Sequence, residues 1–175
     1  HEIGFTIAVW DYRGYGKSKP ETLPTPTQFL NDSRLILRTV DAEIRQPHQS
    51  ILLYGYSLGG IPIVEQGSAN EVSVCGMVME VAWTSIRQLS ESISAVNLPG
   101  GYISLGYFEN DKKMPDYKGP LFMMYVTEDH YFTIDSAREI YDLATGPKVF
   151  WEVEGVHHGI ANVGIPEASF SAYKD

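Results

Sequence analysis

The stretch that most constrains this chain is Gly55-Tyr56-Ser57-Leu58-Gly59-Gly60, directly behind the apolar run Ile51-Leu52-Leu53-Tyr54. A short β-type run before it and a helix from Leu58 to about Gln66 after it make the glycine-rich piece a sharp strand-to-helix turn. A serine at the middle of such a turn projects its Oγ above the sheet edge on crowded backbone. The residues two before and two after must then be small enough for strand and helix to pass closely. Gly55 and Gly59 meet that demand. The pentapeptide elsewhere would be an ordinary turn, so its weight comes from what flanks it.

Further β-type runs follow the same logic. Phe5 to Trp10 reads as a strand buried on both faces of a parallel sheet, and so do Ser73 to Val81, Pro120 to Val126 and Lys148 to Val153. Between them lie helical stretches. Thr25-Pro26-Thr27-Gln28 predicts an N-cap, a proline in the first turn and a capping box. Phe29, Ser33, Ile36, Val40 and Ile44 then recur on one inward face until Pro47 ends the helix. Trp83 to Ile93 and Thr133 to Ala144 are the other expected helices. Ser94 to Gly119 is irregular and predicts a small lid-like excursion at about 94–119. Pro166 to Asp175 reads as the start of a helix. Strand and helix alternate throughout, which predicts a single α/β domain over 1–175: a mostly parallel sheet with helices on both faces.

Bulk properties remove several function classes. The 175 residues carry a formal net charge of −9, which argues against nucleic acid as a partner. No stretch approaches the ~18 apolar residues of a membrane span. No signal peptide is visible; the chain starts at His1, so any targeting segment would precede it and the default compartment is cytoplasmic. The one cysteine, Cys75, reads as a small buried hydrophobe. The loop Asp11-Tyr12-Arg13-Gly14-Tyr15-Gly16-Lys17-Ser18 is glycine-rich but lacks the order of a phosphate-binding loop, so a structural turn is expected.

Ligands of parallel sheets lie beyond the carboxyl ends of the strands. Ser57 stands at one such end, Glu128-Asp129 at another and His157-His158 at a third. A serine hydroxyl becomes a useful nucleophile when an imidazole takes its proton, and that imidazole needs a carboxylate to fix its tautomer. The residues leave open which member of each doublet serves. A metal site built from Glu128, Asp129, His130, His157 and His158 is the competing use of these groups. No helical His-x-x-x-His and no cysteine pair supports it, so neither metal nor cofactor is expected. His48 and His130 read as solvated loop residues.

Taken together, the glycine loop 11–18, the Gly-x-Ser-x-Gly turn, the Thr127-Glu128-Asp129 turn and the Gly155-x-x-His158 turn resemble the α/β-hydrolase superfamily. The resemblance is to its esterase/lipase-like and prolyl-oligopeptidase-like branch. It implies Ser57 as nucleophile, Asp129 as acid, His158 as base and the Leu58 N–H as an oxyanion donor. Tyr56 and Trp83 then lie on the substrate side, while Tyr102, Tyr107 and Phe108 are expected to pack the excursion onto the sheet. The implied activity is cleavage of a small-molecule carboxylic ester, thioester or amide through an acyl-enzyme. A serine exopeptidase is a variant of it, and a non-catalytic ligand- or partner-binding module is the alternative. The family's first three strands and second oxyanion donor have no counterpart here. The fold is therefore expected to be N-terminally incomplete, and this polypeptide poorly active or poorly folded.

Overall fold

A computed structural model describes residues 4–18, 24–82, 108–130, 132–155 and 157–158. Its centre is a four-stranded parallel sheet: β1 (Leu52–Tyr56), β2 (Gly76–Glu80), β3 (Leu121–Val126) and β4 (Lys148–Val153), in that spatial order. Leu53 sits opposite Met77, Met79 opposite Met123, and Met124 opposite Trp151. β2 and β3 are the most deeply packed strands, and Met77, Met79, Met123 and Met124 are 0–1% exposed.

Helix α1 (Pro26–Thr39) begins where the sequence says it should. The Thr25 hydroxyl accepts from the Gln28 N–H, and the Gln28 side chain returns to the Thr25 backbone. Helix α2 (Gly60–Ala69) follows β1, with Asn70 left-handed at its C-cap. The short α3 (Asn110–Lys113) leads into a 3-10 turn, Met114–Asp116. Helix α4 (Ile134–Leu143) is capped by Thr133 as expected. Helices α2 and α4 pack on one face of the sheet. A Cβ on Gly67 of α2 would meet Met77 of β2, and Tyr141 and Arg138 of α4 lie against Phe150 of β4.

Polar ties fix the helices to one another. Glu65 of α2 is nearly buried and pairs with both Arg34 of α1 and Lys113 of α3. Beside it the Gln66 amide donates to Ser33 Oγ at 2.9 Å. A buried carboxylate is tolerable only when held this way. The glycine loop is a structural turn, as its spacing predicts: Arg13 grips Asp32 of α1 through two hydrogen bonds, at 2.8 and 2.7 Å, and the Asp11 carboxylate accepts the Lys17 N–H.

Three expectations change. Phe5 to Trp10 forms no strand, and Ile7 and Val9 are 74% and 85% exposed. A strand exists only through a neighbour's backbone, and no ladder reaches this run among the described residues. The inward face of α1 is Phe29, Leu30, Ser33 and Leu37, whereas Ile44 is 49% exposed. The cause is a π-turn over Val40–Ile44, in which the Arg45 N–H reaches the Val40 carbonyl and rotates later residues off the helical register. Cys75 is exposed because β2 starts one residue after it.

The described part of the expected excursion belongs to the core. Phe108, Met114 and Tyr117 are 0–2% exposed, and Phe108 meets Phe29 edge-on. The expected helices at 83–93 and 166–175, Tyr102 and Tyr107 lie outside the described residues.

Gly55 sits where β1 and the following helix approach closely. A Cβ there would stand 2.6 Å from the Gly59 carbonyl carbon and 2.7 Å from Ile63 Cδ1. Backbone cannot yield as a side chain can, so Gly55→Ala is expected to destabilise the fold by about 3 kcal/mol. Urea unfolding midpoints of the two proteins measure this.

Candidate active site

Ser57 leaves β1 with φ +50°, the left-handed region that a serine enters at a cost. Tyr56 before it is extended; Ser57–Gly59 then forms a 3-10 turn that runs into α2. Two consequences follow from this abrupt turn. The hydroxyl is lifted above the carboxyl edge of the sheet. The helical segment starts at the serine itself, so the positive end of the helix dipole lies at this turn.

Asp129 and His158 come from the turns after β3 and β4. The two turns are laced together: Thr127 N–H donates to the Val153 carbonyl, and Gly155 N–H donates to Thr127 Oγ1 at 3.0 Å. Gly155 has φ +68°, which lets β4 turn back towards Asp129. The Asp129 side chain is fully buried and that of His158 is 16% exposed. Asp129 Oδ1 accepts the Phe132 N–H at 3.1 Å, and its Oδ2 lies 2.8 Å from His158 Nδ1. His158 Nε2 lies 3.2 Å from Ser57 Oγ.

A carboxylate only accepts, so Nδ1 carries the proton and Nε2 faces the serine as an acceptor. Tyr56 and Phe132 both pack against the ring, each with its centroid 5.5 Å away.

The structure separates the doublets that the residues left open. His157 turns outward, with Nε2 3.5 Å from the Glu128 carboxylate and its ring 5.3 Å from His130. Glu128 and His157 therefore pair with each other, while Asp129 and His158 face Ser57. Leu58 is half-buried beside the serine, and Tyr56 touches the imidazole. Trp83 lies outside the described residues. Among the described residues no three His, Cys, Asp or Glu side chains converge as metal ligands, and no helix is long and apolar enough to cross a membrane.

Phe132 escaped the sequence reading, although an aspartate accepting the N–H three residues on is an ordinary turn pattern. So did Glu80, fully buried at the end of β2 and hydrogen-bonded by the Tyr54 hydroxyl. Nothing local marks Glu80.

Such an arrangement can pass a proton from Ser57 to His158 while Asp129 holds the imidazolium that forms. Its parallel sheet, strand order and helix connections are those of an α/β-hydrolase fold. Within that class, the chain belongs to the family described as serine aminopeptidase, S33, whose model matches residues 1–99, more than half of the chain. YfhR of Escherichia coli K12, a protein described as uncharacterized, is 24% identical over 150 residues, covering 84% of this chain and 51% of its own. The chain thus spans about half the length of the curated relatives it matches.

Among solved structures, a monoacylglycerol lipase of Paleococcus ferrophilus superposes with a TM-score of 0.71 at 15% identity, covering 99% of this chain and 83% of that one. An esterase of Pyrococcus furiosus superposes with a TM-score of 0.77 at 14% identity, covering 99% and 70%. At such identities these likenesses establish the fold alone.

Proposed function

We propose that the protein is a serine hydrolase that cleaves a small-molecule carboxylic ester through an acyl-enzyme. Ser57 is the nucleophile, His158 the general base and then acid, and Asp129 the carboxylate that orients the imidazole. The observation that carries this reading is the continuous path Ser57 Oγ, His158 Nε2, His158 Nδ1, Asp129 Oδ2, with steps of 3.2 and 2.8 Å across the ring. In the reaction Oγ attacks the acyl carbon as its proton moves to Nε2. The oxyanion that forms is met by the Leu58 N–H at the start of the helical turn. His158 then protonates the departing alcohol, and water repeats the sequence to release the acid.

Support for an acyl ester comes from the names of the lipase and esterase with which the fold superposes. The family description instead favours a peptide with a free amino terminus. Aryl acyl esters and aminoacyl anilides offered side by side separate the two, and faster turnover of the ester is expected.

The test of the whole reading is labelling with a fluorophosphonate probe. The protein is expected to label, and Ser57→Ala to remain unlabelled while folded. Equal labelling of both proteins would sink the assignment.

A further inference from the structure

Phe132 touches both groups behind Ser57, each through a different part of the residue. Its backbone N–H donates to Asp129 Oδ1 at 3.1 Å. Its ring packs against that of His158, with centroids 5.5 Å apart and planes inclined by 49°. The residue is 4% exposed, so a substrate arriving from solvent meets little of it.

The place of Phe132 is set by α4. Thr133, the next residue, caps that helix by accepting the Ser136 N–H, and Ala137 and Ile140 of α4 are 0–1% exposed. The ring is thus tied to a well-buried helix, whereas Glu128 and His130 on either side of Asp129 are exposed.

Hydrogen bonds leave one motion of the imidazole weakly opposed. Rocking about the line through its two nitrogens hardly moves either atom. It does swing the Nδ1–H and the Nε2 lone pair out of line with Asp129 and Ser57, and such bonds weaken steeply once bent. A ring packed on the imidazole resists this motion, because the imidazole can rock only by displacing it.

We propose that Phe132 is a positioning residue for the proton path: its N–H sets the Asp129 carboxylate and its ring sets the plane of His158. Both contacts move together when the residue moves, so acid and base stay aligned with one another. The role rests on the hydrolase reading above and adds no group that touches substrate.

Phe132→Leu keeps the backbone N–H and an apolar side chain while removing the ring. The full chain is used, with active sites counted by the fluorophosphonate probe. Per labelled site, kcat towards an aryl ester is expected to fall about threefold to tenfold, the order that an aromatic pair contributes. KM stays unchanged. Ile140→Val is the control for a merely structural loss: it trims the buried face of α4, lowers the melting temperature and leaves kcat per labelled site alone. A kcat for Phe132→Leu no lower than that of Ile140→Val overturns the proposal.

Proton NMR gives a second readout that does not depend on turnover. The His158 Nδ1 proton, held between the imidazole and Asp129, is expected as a far-downfield signal in the wild type and in Ser57→Ala. In Phe132→Leu that signal is expected to broaden through faster exchange with water, and an equally sharp signal refutes the positioning role. Running Ser57→Ala in parallel keeps the two readings apart. Hydrolysis that survives Ser57→Ala refutes the hydrolase assignment. Serine-dependent hydrolysis untouched by Phe132→Leu refutes the positioning role alone.

Discussion

Ser57→Ala is expected to lower ester turnover by roughly 10⁶-fold, the loss seen when a triad nucleophile is removed. The size of the effect follows from the geometry. In the proposed mechanism His158 Nε2 activates the Ser57 hydroxyl 3.2 Å away, and alanine removes that hydroxyl. Steady-state hydrolysis of an aryl ester measures the change. Circular dichroism and the unfolding midpoint are expected to stay near wild type, because alanine suffers the same left-handed backbone as serine.

Ser57→Gly sharpens the point. Glycine enters φ +50° freely, so this variant is expected to be as inactive yet more stable, by about 1 kcal/mol. A protein that gains stability when it loses its nucleophile has been holding strain at that position. An active Ser57→Ala variant would remove Ser57 from the mechanism altogether.

Asp129→Asn is the second large effect, about 10⁴-fold in kcat. The asparagine oxygen can keep the Phe132 N–H, and its amide nitrogen then points at His158 Nδ1. An N–H facing that nitrogen forces the imidazole proton onto Nε2, where it opposes the serine hydroxyl instead of accepting from it. The expected signature is a collapsed kcat with little change in KM, in a protein that remains folded. His157→Ala serves as the control. That ring is 57% exposed and pairs with Glu128, so its loss is expected to change turnover by less than about threefold. A larger effect of His157→Ala than of Asp129→Asn would reverse the assignment of the doublets.

Features set by local chemistry were readable in advance. Thr25 and Thr133 cap their helices because a hydroxyl followed by free N–H groups has one good use. The boundaries of β4 match the expected run, and β3 starts one residue inside its expected run and ends with it. The small residues around Ser57 announced a close approach that Gly55 does make.

Features set by distant neighbours were not readable. Phe5 to Trp10 has the composition of a strand, but composition cannot supply the adjoining backbone. The stripe of α1 followed an ideal helix up to Thr39, and a change of winding that nothing in Val40–Ile44 signals moved Ile44 outward. At the site, the choice of His158 over His157 came from resemblance. The turn at Gly155 and the lacing of Thr127 to Gly155 are what separate the two rings in space, and both depend on β3 lying beside β4.

The order of the sheet carries a consequence for how the protein assembles. Ser57 and His158 follow β1 and β4, which are three inter-strand spacings apart, about 14 Å. Their hydrogen bond closes a span of 101 residues. Ordering so long a loop is slow compared with forming a helix or pairing neighbouring strands. The bond also needs every intervening pairing in register, since a slip of one residue displaces a strand end by about 3.3 Å. Helical signal during refolding is therefore expected to return well before Ser57 becomes reactive, and a covalent serine probe would time the last step of folding.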